Sequence, residues 1–347
     1  MKLNRKEWTS WCFQVAMLLQ QNFLLQDVLE IVSKSRTYAK VKHLSVCIRE
    51  DMIKGYSFSE SLQRHCTKIE SYIMVSINSG EENSTIEKTF HHLYLYLDRK
   101  NRLDEKLKST SAYPLLILVV AIGLTSALLG FMVPLIQEIA QSLDTPLPEN
   151  TRRIIHATQW VSLHRWWLML GGALFAGFLY FIGSKYKYFI HSVWLYFPLL
   201  GEWIRKKDLW KFFSTFSLLL NNQVSAEQSL SIAAETLQNA RLYEEISLTI
   251  APIQQGATLS GSLHRFMLSS EYIYSLLKTG EESNRMAQNA QFISDALQNE
   301  LYARYEQWVK LAEPALFIVI GMIILWMVFS AYLPMLSLFQ WDMWHIP

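Results

Sequence analysis

Two stretches of this chain set adjacent carboxylates in the same surroundings. One reads Gly80-Glu81-Glu82-Asn83-Ser84; the other reads Gly280-Glu281-Glu282-Ser283-Asn284. An exposed acidic turn presented twice can offer equivalent docking points to a symmetric partner, or it can hold a hard cation through oxygen ligands. Glu81, Glu82, Glu281 and Glu282 are therefore the candidate partner-binding residues. A purely structural account competes. Gly80 and Gly280 would each end a helix in the left-handed conformation that glycine accepts readily. The acids would then open the next helix, where the positive end of its dipole favours them.

Other chemistry is not supported. The sequence has no G-x-x-x-x-G-K-[ST] phosphate loop, no H-E-x-x-H, no Cys/His set with zinc spacing and no G-x-S-x-G elbow. His91 and His92 are adjacent, so their side chains diverge on a helix, and they read as a solvated face. No catalytic residue, cofactor or metal is expected, and the chain reads as a non-enzyme. A formal charge of +2 without a long basic tract gives no case for direct nucleic-acid binding. Cys12, Cys47 and Cys66 are odd in number and form no C-x-x-C, so reduced structural thiols are expected.

The acid pairs belong to a longer repeat. At the same offset of 200, Tyr113-Pro114 faces Glu313-Pro314, and Pro134 faces Pro334. Upstream the offset is 201: GYSFSESL from Gly55 matches GATLSGSL from Gly256, and MLLQQNFLLQDVL from Met17 matches LLLNNQVSAEQSL from Leu218. A collinear series with a single one-residue gap, between Leu263 and Gly280, is an internal duplication. Each copy has the size of an ordinary domain.

The elements that position these motifs are helices. Residues 1–113 contain no proline and only two glycines, Gly55 and Gly80. Apolar residues recur at helical spacing over Trp8–Gln20, Leu25–Val32 and Val41–Ile53, then over Trp210–Leu220, Ala226–Leu237, Arg241–Ile250 and Ser262–Lys278. Ser57 with Glu60, and Ser84 with Glu87, have the form of capping boxes.

No Asp, Glu, Lys or Arg falls between Lys108 and Glu138, Arg165 and Lys185, or Glu313 and Asp342. Such runs meet the roughly 20 apolar residues that a membrane helix requires. Spans are predicted over 114–136, 166–184 and 314–339, with Pro114 and Pro314 in the first turn of theirs, where the missing amide costs nothing. Lys and Arg number 17 in residues 1–113, 12 in 185–311, three in 137–165 and none after Phe339. The asymmetry puts a bundle over 1–110 and another over 185–312 in the cytoplasm, and the loop 137–165 and tail 340–347 outside. Trp160, Trp166, Trp167, Trp341 and Trp344 fall where an outer aromatic belt belongs. Glu313 falls at the inner boundary. The start, MKLNRKEWTSWCFQ, lacks the pattern of a cleaved signal peptide. The expected fold class is all-α: a polytopic membrane protein with two duplicated cytoplasmic helical bundles and three transmembrane helices.

Duplicated bundles that each precede a span, each with a G-x-[ST]-[LF]-S-x-[SA]-L-type motif (Gly55–Leu62, Gly256–Leu263) and a following G-E-x-[SN] motif (Gly80–Ser84, Gly280–Asn284), resemble the GspF/PilC family. These are the inner-membrane platform proteins of type II secretion systems and type IV pili. The resemblance covers nearly the whole chain. Without the extra N-terminal stretch of larger members, it is most similar to the competence-pilus branch, the ComGB type. Thr85-Ile86 and Asn284-Arg285 stand where the family has Gly-x-Leu, a departure at the turn. The resemblance implies a platform without catalysis, docked by a cytoplasmic hexameric assembly ATPase. That platform passes prepilin-like or pseudopilin subunits from the membrane lipid into a growing fibre that supports DNA uptake, and it implies a homo-oligomer. The alternatives are a type II secretion platform and, from another class of function, a small membrane transporter. Three spans without one charged residue argue against the last.

Overall fold

The structure is a computed structural model and describes residues 1–142, 198–267 and 271–343. Every element among the described residues is a helix. The first repeat contributes α1 (Arg5–Leu19), α2 (Leu25–Lys34), α3 (Ala39–Ile53), α4 (Phe58–His65), α5 (Ser71–Glu82) and α6 (Ile86–Ser142). The second contributes α7 (Pro198–Asn221), α8 (Ala226–Glu235), α9 (Ala240–Gln254), α10 (Leu259–Met267), α11 (Glu271–Glu282) and α12 (Met286–Met343). The chain divides into two compact units: Met1–Lys106 with His191–Ala303, and Leu107–Ile190 with Arg304–Pro347.

The turns repeat as faithfully as the helices. Three positions per repeat take the left-handed backbone at a helix end: Asn22 (φ 61°), Gly55 (94°) and Ser84 (55°), then Gln223 (63°), Gly256 (91°) and Asn284 (55°). Each closes its helix with a paired set of backbone bonds. At Ser84, the Ser84 amide donates to the Glu81 carbonyl (3.2 Å) and the Thr85 amide to the Gly80 carbonyl (2.7 Å). At Asn284 the matching bonds are 3.4 and 2.9 Å. This pattern satisfies carbonyls that a helix end otherwise leaves unpaired.

In the first unit the repeats share one hydrophobic cluster. Trp11 stacks on Phe58 at 6.0 Å, meets Phe90 edge-on at 5.5 Å and donates from Nε1 to Ser45 Oγ (3.1 Å). Leu218, Leu219, Val224 and Ile232 of the second repeat enter the same cluster. The second repeat adds its own aromatic stack, Phe212 on Phe216 at 5.9 Å, with Phe213 edge-on to Phe212 at 5.2 Å. In the second unit, α6 and α12 meet just before their apolar runs. Tyr305 Oη donates to the Leu107 carbonyl (3.0 Å) and also bonds Ser111 Oγ, and Tyr113 Oη donates to Glu313 Oε1 (3.2 Å).

Several expectations are corrected. Pro114 is not in a first turn: it lies deep inside α6, as Pro134 does, and α12 likewise runs through Pro314 and Pro334. The bundle helix and the apolar run are one continuous helix, so the proline lacks a ladder bond that an ordinary residue would make. Of the helix expected over Ser262–Lys278, the part to Met267 belongs to α10 and the part from Glu271 to α11, and residues 268–270 lie outside the described residues. Ser84 does not cap α6, because its left-handed φ makes it the closing residue of α5. The box at Ser57–Glu60 does form, and Asn4–Glu7 forms another that the sequence reading missed. The span 166–184, residues 143–165 of the outer loop and Trp344 lie outside the described residues. Counting only described residues, no helix is long and apolar enough to cross a membrane. Most described side chains of both runs are nonetheless apolar and exposed, among them Leu115, Leu116, Val119 and Leu124 on α6 and Phe317, Ile318, Met322 and Leu325 on α12.

Candidate functional site

In each repeat the two signature motifs fold onto one another. The glycine-led motif starts a helix, α4 or α10, and the Gly-Glu-Glu motif ends the next one, α5 or α11. Glu81 closes the gap between them. Its Oε1 accepts from the Phe58 amide (2.7 Å) and its Oε2 from the Ser59 amide (2.9 Å). Ser57 Oγ takes the Glu60 amide, and Glu60 Oε2 takes the Ser57 amide, each at 3.1 Å. The leading amides of α4, which have no partner inside the helix, are thus all occupied. A carboxylate there also meets the positive end of the dipole.

Glu281 does the same for α10. It accepts from the Leu259 amide (2.6 Å), the Ser260 amide (3.0 Å) and Ser260 Oγ (2.5 Å). The second repeat has Gly261 where the first has Glu60, so no capping-box acid is available, and the Ser260 hydroxyl supplies an extra bond.

The acid pairs are therefore split. Glu81 and Glu281 are half-buried and turned inward on a neighbouring helix of their own repeat, while Glu82 and Glu282 are exposed. Glu282 lies 3.9 Å from Lys278. The acids end helices; they do not open them. Among the described residues no group of three His, Cys, Asp or Glu side chains could hold a metal ion, and the inner carboxylates are committed to amides.

Gly80 and Gly280 are also not the left-handed caps expected of them. Both are buried one turn inside their helices, and the left-handed position falls four residues later. Glycine is required there by close approach. A Cβ on Gly80 would lie 2.2 Å from Thr89 Oγ1 of α6, and one on Gly280 would lie 3.0 Å from Asn289 Cβ and Nδ2 of α12. Thr89 and Asn289 were missed in the sequence because their types carry no signal; only the matching offset of 200 could have pointed to them. Gly55 and Gly256 do take positive φ at the ends of α3 and α9.

Between the repeats, within the first unit, lies a cavity of about 430 Å³ lined by Arg5, Tyr72, Tyr96, Lys100, Lys211 and Glu235, among others. Its cations are already engaged: Arg5 with Asp104, Lys100 near Glu70 (3.7 Å), and Lys211 with Asp208 (3.1 Å). Burial pulls the Lys211 ammonium below the usual lysine range, and Asp208 opposes that shift. Burial also pushes the Tyr72 phenol well up. His92, expected on a solvated face, bonds Asn222 Oδ1 across the repeats (3.0 Å).

This arrangement is a structural clasp used twice, with an acidic rim, and the comparisons with known proteins match it repeat for repeat. The family model for the type II secretion system protein F matches residues 11–134 and again 212–334. Among the relatives, a type II secretion system protein F from Pseudomonas aeruginosa is 25% identical over 94% of this chain and 81% of its own length. A type IV pilus assembly protein PilC from Thermus thermophilus is 26% identical over 94% of this chain and 80% of its own length. A protein transport protein HofC homolog from Escherichia coli is 24% identical over 94% and 82%. With both repeats matched and each clasp in place, the chain belongs to the type II secretion system protein F family, alongside the GspF- and PilC-type proteins of secretion and pilus assembly.

Proposed function

We propose that this chain is a membrane platform for building a competence-type, type IV-like pilus or pseudopilus. In this reading it has no catalysis of its own. It couples a cytoplasmic assembly ATPase to the transfer of prepilin-like subunits out of the membrane, in support of DNA uptake. One observation carries the platform reading: each helical bundle ends in a helix that continues without a break into a charge-free run most of whose described side chains are apolar and exposed. Exposed apolar surface of that extent calls for lipid or protein cover. The lysine and arginine asymmetry favours cytoplasmic bundles, an external loop and an external C-terminus, with three spans. Relatives named for pilus assembly and for secretion support the mechanical role equally; DNA uptake rests on resemblance to the competence branch. The docking surface in this reading is the exposed acid of each clasp, Glu82 and Glu282, with Glu81 and Glu281 holding the turn that presents them.

The test is a chromosomal deletion complemented in trans, scored for transformation, pilus formation and protein secretion. Loss of transformation with intact secretion supports the competence role. Loss of secretion alone moves the chain to a type II secretion platform. Reporter fusions should read cytoplasmic near Lys54 and Arg241 and external near Asp144 and Trp344; an external signal at Arg241 sinks the three-span arrangement.

A further inference from the structure

The two repeats meet through unlike faces. The first repeat offers α5 and α6: Ser79 Oγ donates to the Asn222 carbonyl (2.7 Å), His92 bonds Asn222 Oδ1, and Tyr96 Oη bonds Thr215 Oγ1 (3.0 Å). The second offers α7 and α8, and seats Leu218, Val224 and Ile232 in the shared cluster. Because the repeats are copies, each also carries the face that the other is using. Those two faces are open.

The difference in exposure at matched positions is large. Leu218, Val224 and Ile232 are 4%, 6% and 8% exposed, while their counterparts Met17, Phe23 and Ile31 are 47%, 46% and 39% exposed. On the other face, Tyr72 is 3% exposed and its counterpart Tyr272 is 56% exposed; His92 is half-buried and its counterpart Phe292 is 58% exposed. Large apolar side chains thus stand on both open faces, where solvent contact favours polar ones. Charge also matches. Lys100 and Glu235 line one cavity at the closed seam. Their counterparts are Glu300 and Lys34, with signs exchanged and still opposite. Each already has a partner on its own surface, Lys206 and Glu30, so these two tune the pairing rather than supply it.

We propose that a second copy of this chain docks here, the α11–α12 face of one copy (Tyr272, Thr279, Phe292) on the α1–α2 face of the next (Met17, Gln21, Phe23, Ile31), in the mode by which the repeats meet within a chain. The contact is heterologous, so successive copies either close into a ring or run on. It concerns self-association alone and holds or fails independently of what the assembly builds.

The closed seam supplies the cross-linking pair. Ser79 touches Asn222, so Thr279 of one copy should touch Gln21 of the next. In full-length protein carrying Cys47→Ser, which removes the half-exposed thiol and leaves buried Cys12 and Cys66, Gln21→Cys and Thr279→Cys are placed on separately tagged copies. Oxidation of the mixture in membranes should give a disulfide-linked dimer containing both tags, and neither variant alone should. Met17→Lys or Phe292→Asp added singly should cut that product about tenfold or more, as expected for a central interface residue. The two together, on opposite copies, should restore it. Both positions are exposed, and an unchanged helical circular dichroism spectrum verifies folding. Three results overturn the proposal: linkage of Gln21→Cys to itself in equal yield, linkage that ignores both charge substitutions, or no linkage while Gln21→Cys in cells is shielded from a thiol label, which would mean that another occupant covers the face.

Discussion

The third helix of each repeat begins in a different way. In the second repeat, Asp208 is buried under the start of α9. Its Oδ2 accepts from the amides of Gln238 (3.1 Å) and Asn239 (2.8 Å), and its Oδ1 takes Lys211. In the first repeat the matched residue, Glu7, accepts from the Asn4 amide (2.6 Å) to cap its own helix, and its other oxygen reaches α3 only through the Lys40 ammonium (3.7 Å). The start of α3, at Tyr38, has no side-chain cap. Equivalent acids thus cap different helices. The duplicated backbone dictates where amides go unpaired, and each copy has recruited whatever side chain lies in reach.

The sharpest way to break this comparison is Asp208→Ala against Glu7→Ala. The first strands a buried ammonium and two amides together, and losing one member of a buried pair costs about 3–5 kcal/mol. The second removes an end cap worth about 1 kcal/mol and a long ion pair to the exposed Lys40, which adds little. Thermal unfolding in detergent should rank them clearly; equal losses would mean that Asp208 is not the anchor of its repeat.

Next come the clasp glycines. Gly80→Ala drives a methyl into Thr89 on a buried helix contact and should cost about 1–3 kcal/mol. Gly280→Ala meets Asn289 at 3.0 Å, a contact that a small shift relieves, and should cost less. Thr89→Ser should relieve the first defect only in part, because Oγ1 remains.

The inner carboxylates follow. Glu81→Ala leaves the Ser57–Glu60 box in place on α4, whereas Glu281→Ala leaves α10 with no capping-box acid. With charged hydrogen bonds contributing about 1.5–3 kcal/mol when buried, and less at half-exposed sites, Glu281→Ala should be the worse by roughly 1 kcal/mol. Hydrogen exchange over residues 259–263 and 58–62 reads this directly. By contrast, Glu82→Lys with Glu282→Lys should leave exchange unchanged and lower pilus assembly; normal assembly would remove the acidic rim from the docking surface.

The smallest expected difference is in acid. The hydrogen bond from His65 Nε2 (2.9 Å), with help from Lys54, holds the Asp51 carboxyl below the usual carboxylate range. A depressed acid contributes stability that is present above its unfolded pKa of about 4 and is lost as pH falls through the lower folded value. The second repeat has Pro252 and Phe266 at these positions. Below about pH 4 the segment 39–66 should therefore lose exchange protection before 240–267, and Asp51→Asn should abolish the pH dependence of that difference.

Much of this was legible in the sequence. The repeat, the helices and the Ser57–Glu60 box follow from local spacing. The role of the Gly-Glu-Glu motifs does not, because Glu81 finds its amides 22 and 23 residues upstream and Gly80 its constraint nine residues ahead on another helix. A glycine followed by acids looks the same whether it caps a helix or admits a neighbour. Likewise, nothing in Leu218 or Met17 as residue types says that one is covered and the other is open.

The three left-handed turns per repeat also bear on how the chain has aged since it doubled. Their φ angles agree within a few degrees, yet only the glycine pair shares its identity; Asn22 pairs with Gln223, and Ser84 with Asn284. Left-handed backbone costs a side-chain-bearing residue roughly 1–2 kcal/mol, and glycine avoids most of that. At φ near 60° the strain is bearable and the letter has drifted. At φ above 90°, where Gly55 and Gly256 sit, it has not. Backbone angle, not residue name, is the heirloom, and a search for more distant doublings should align torsions before letters.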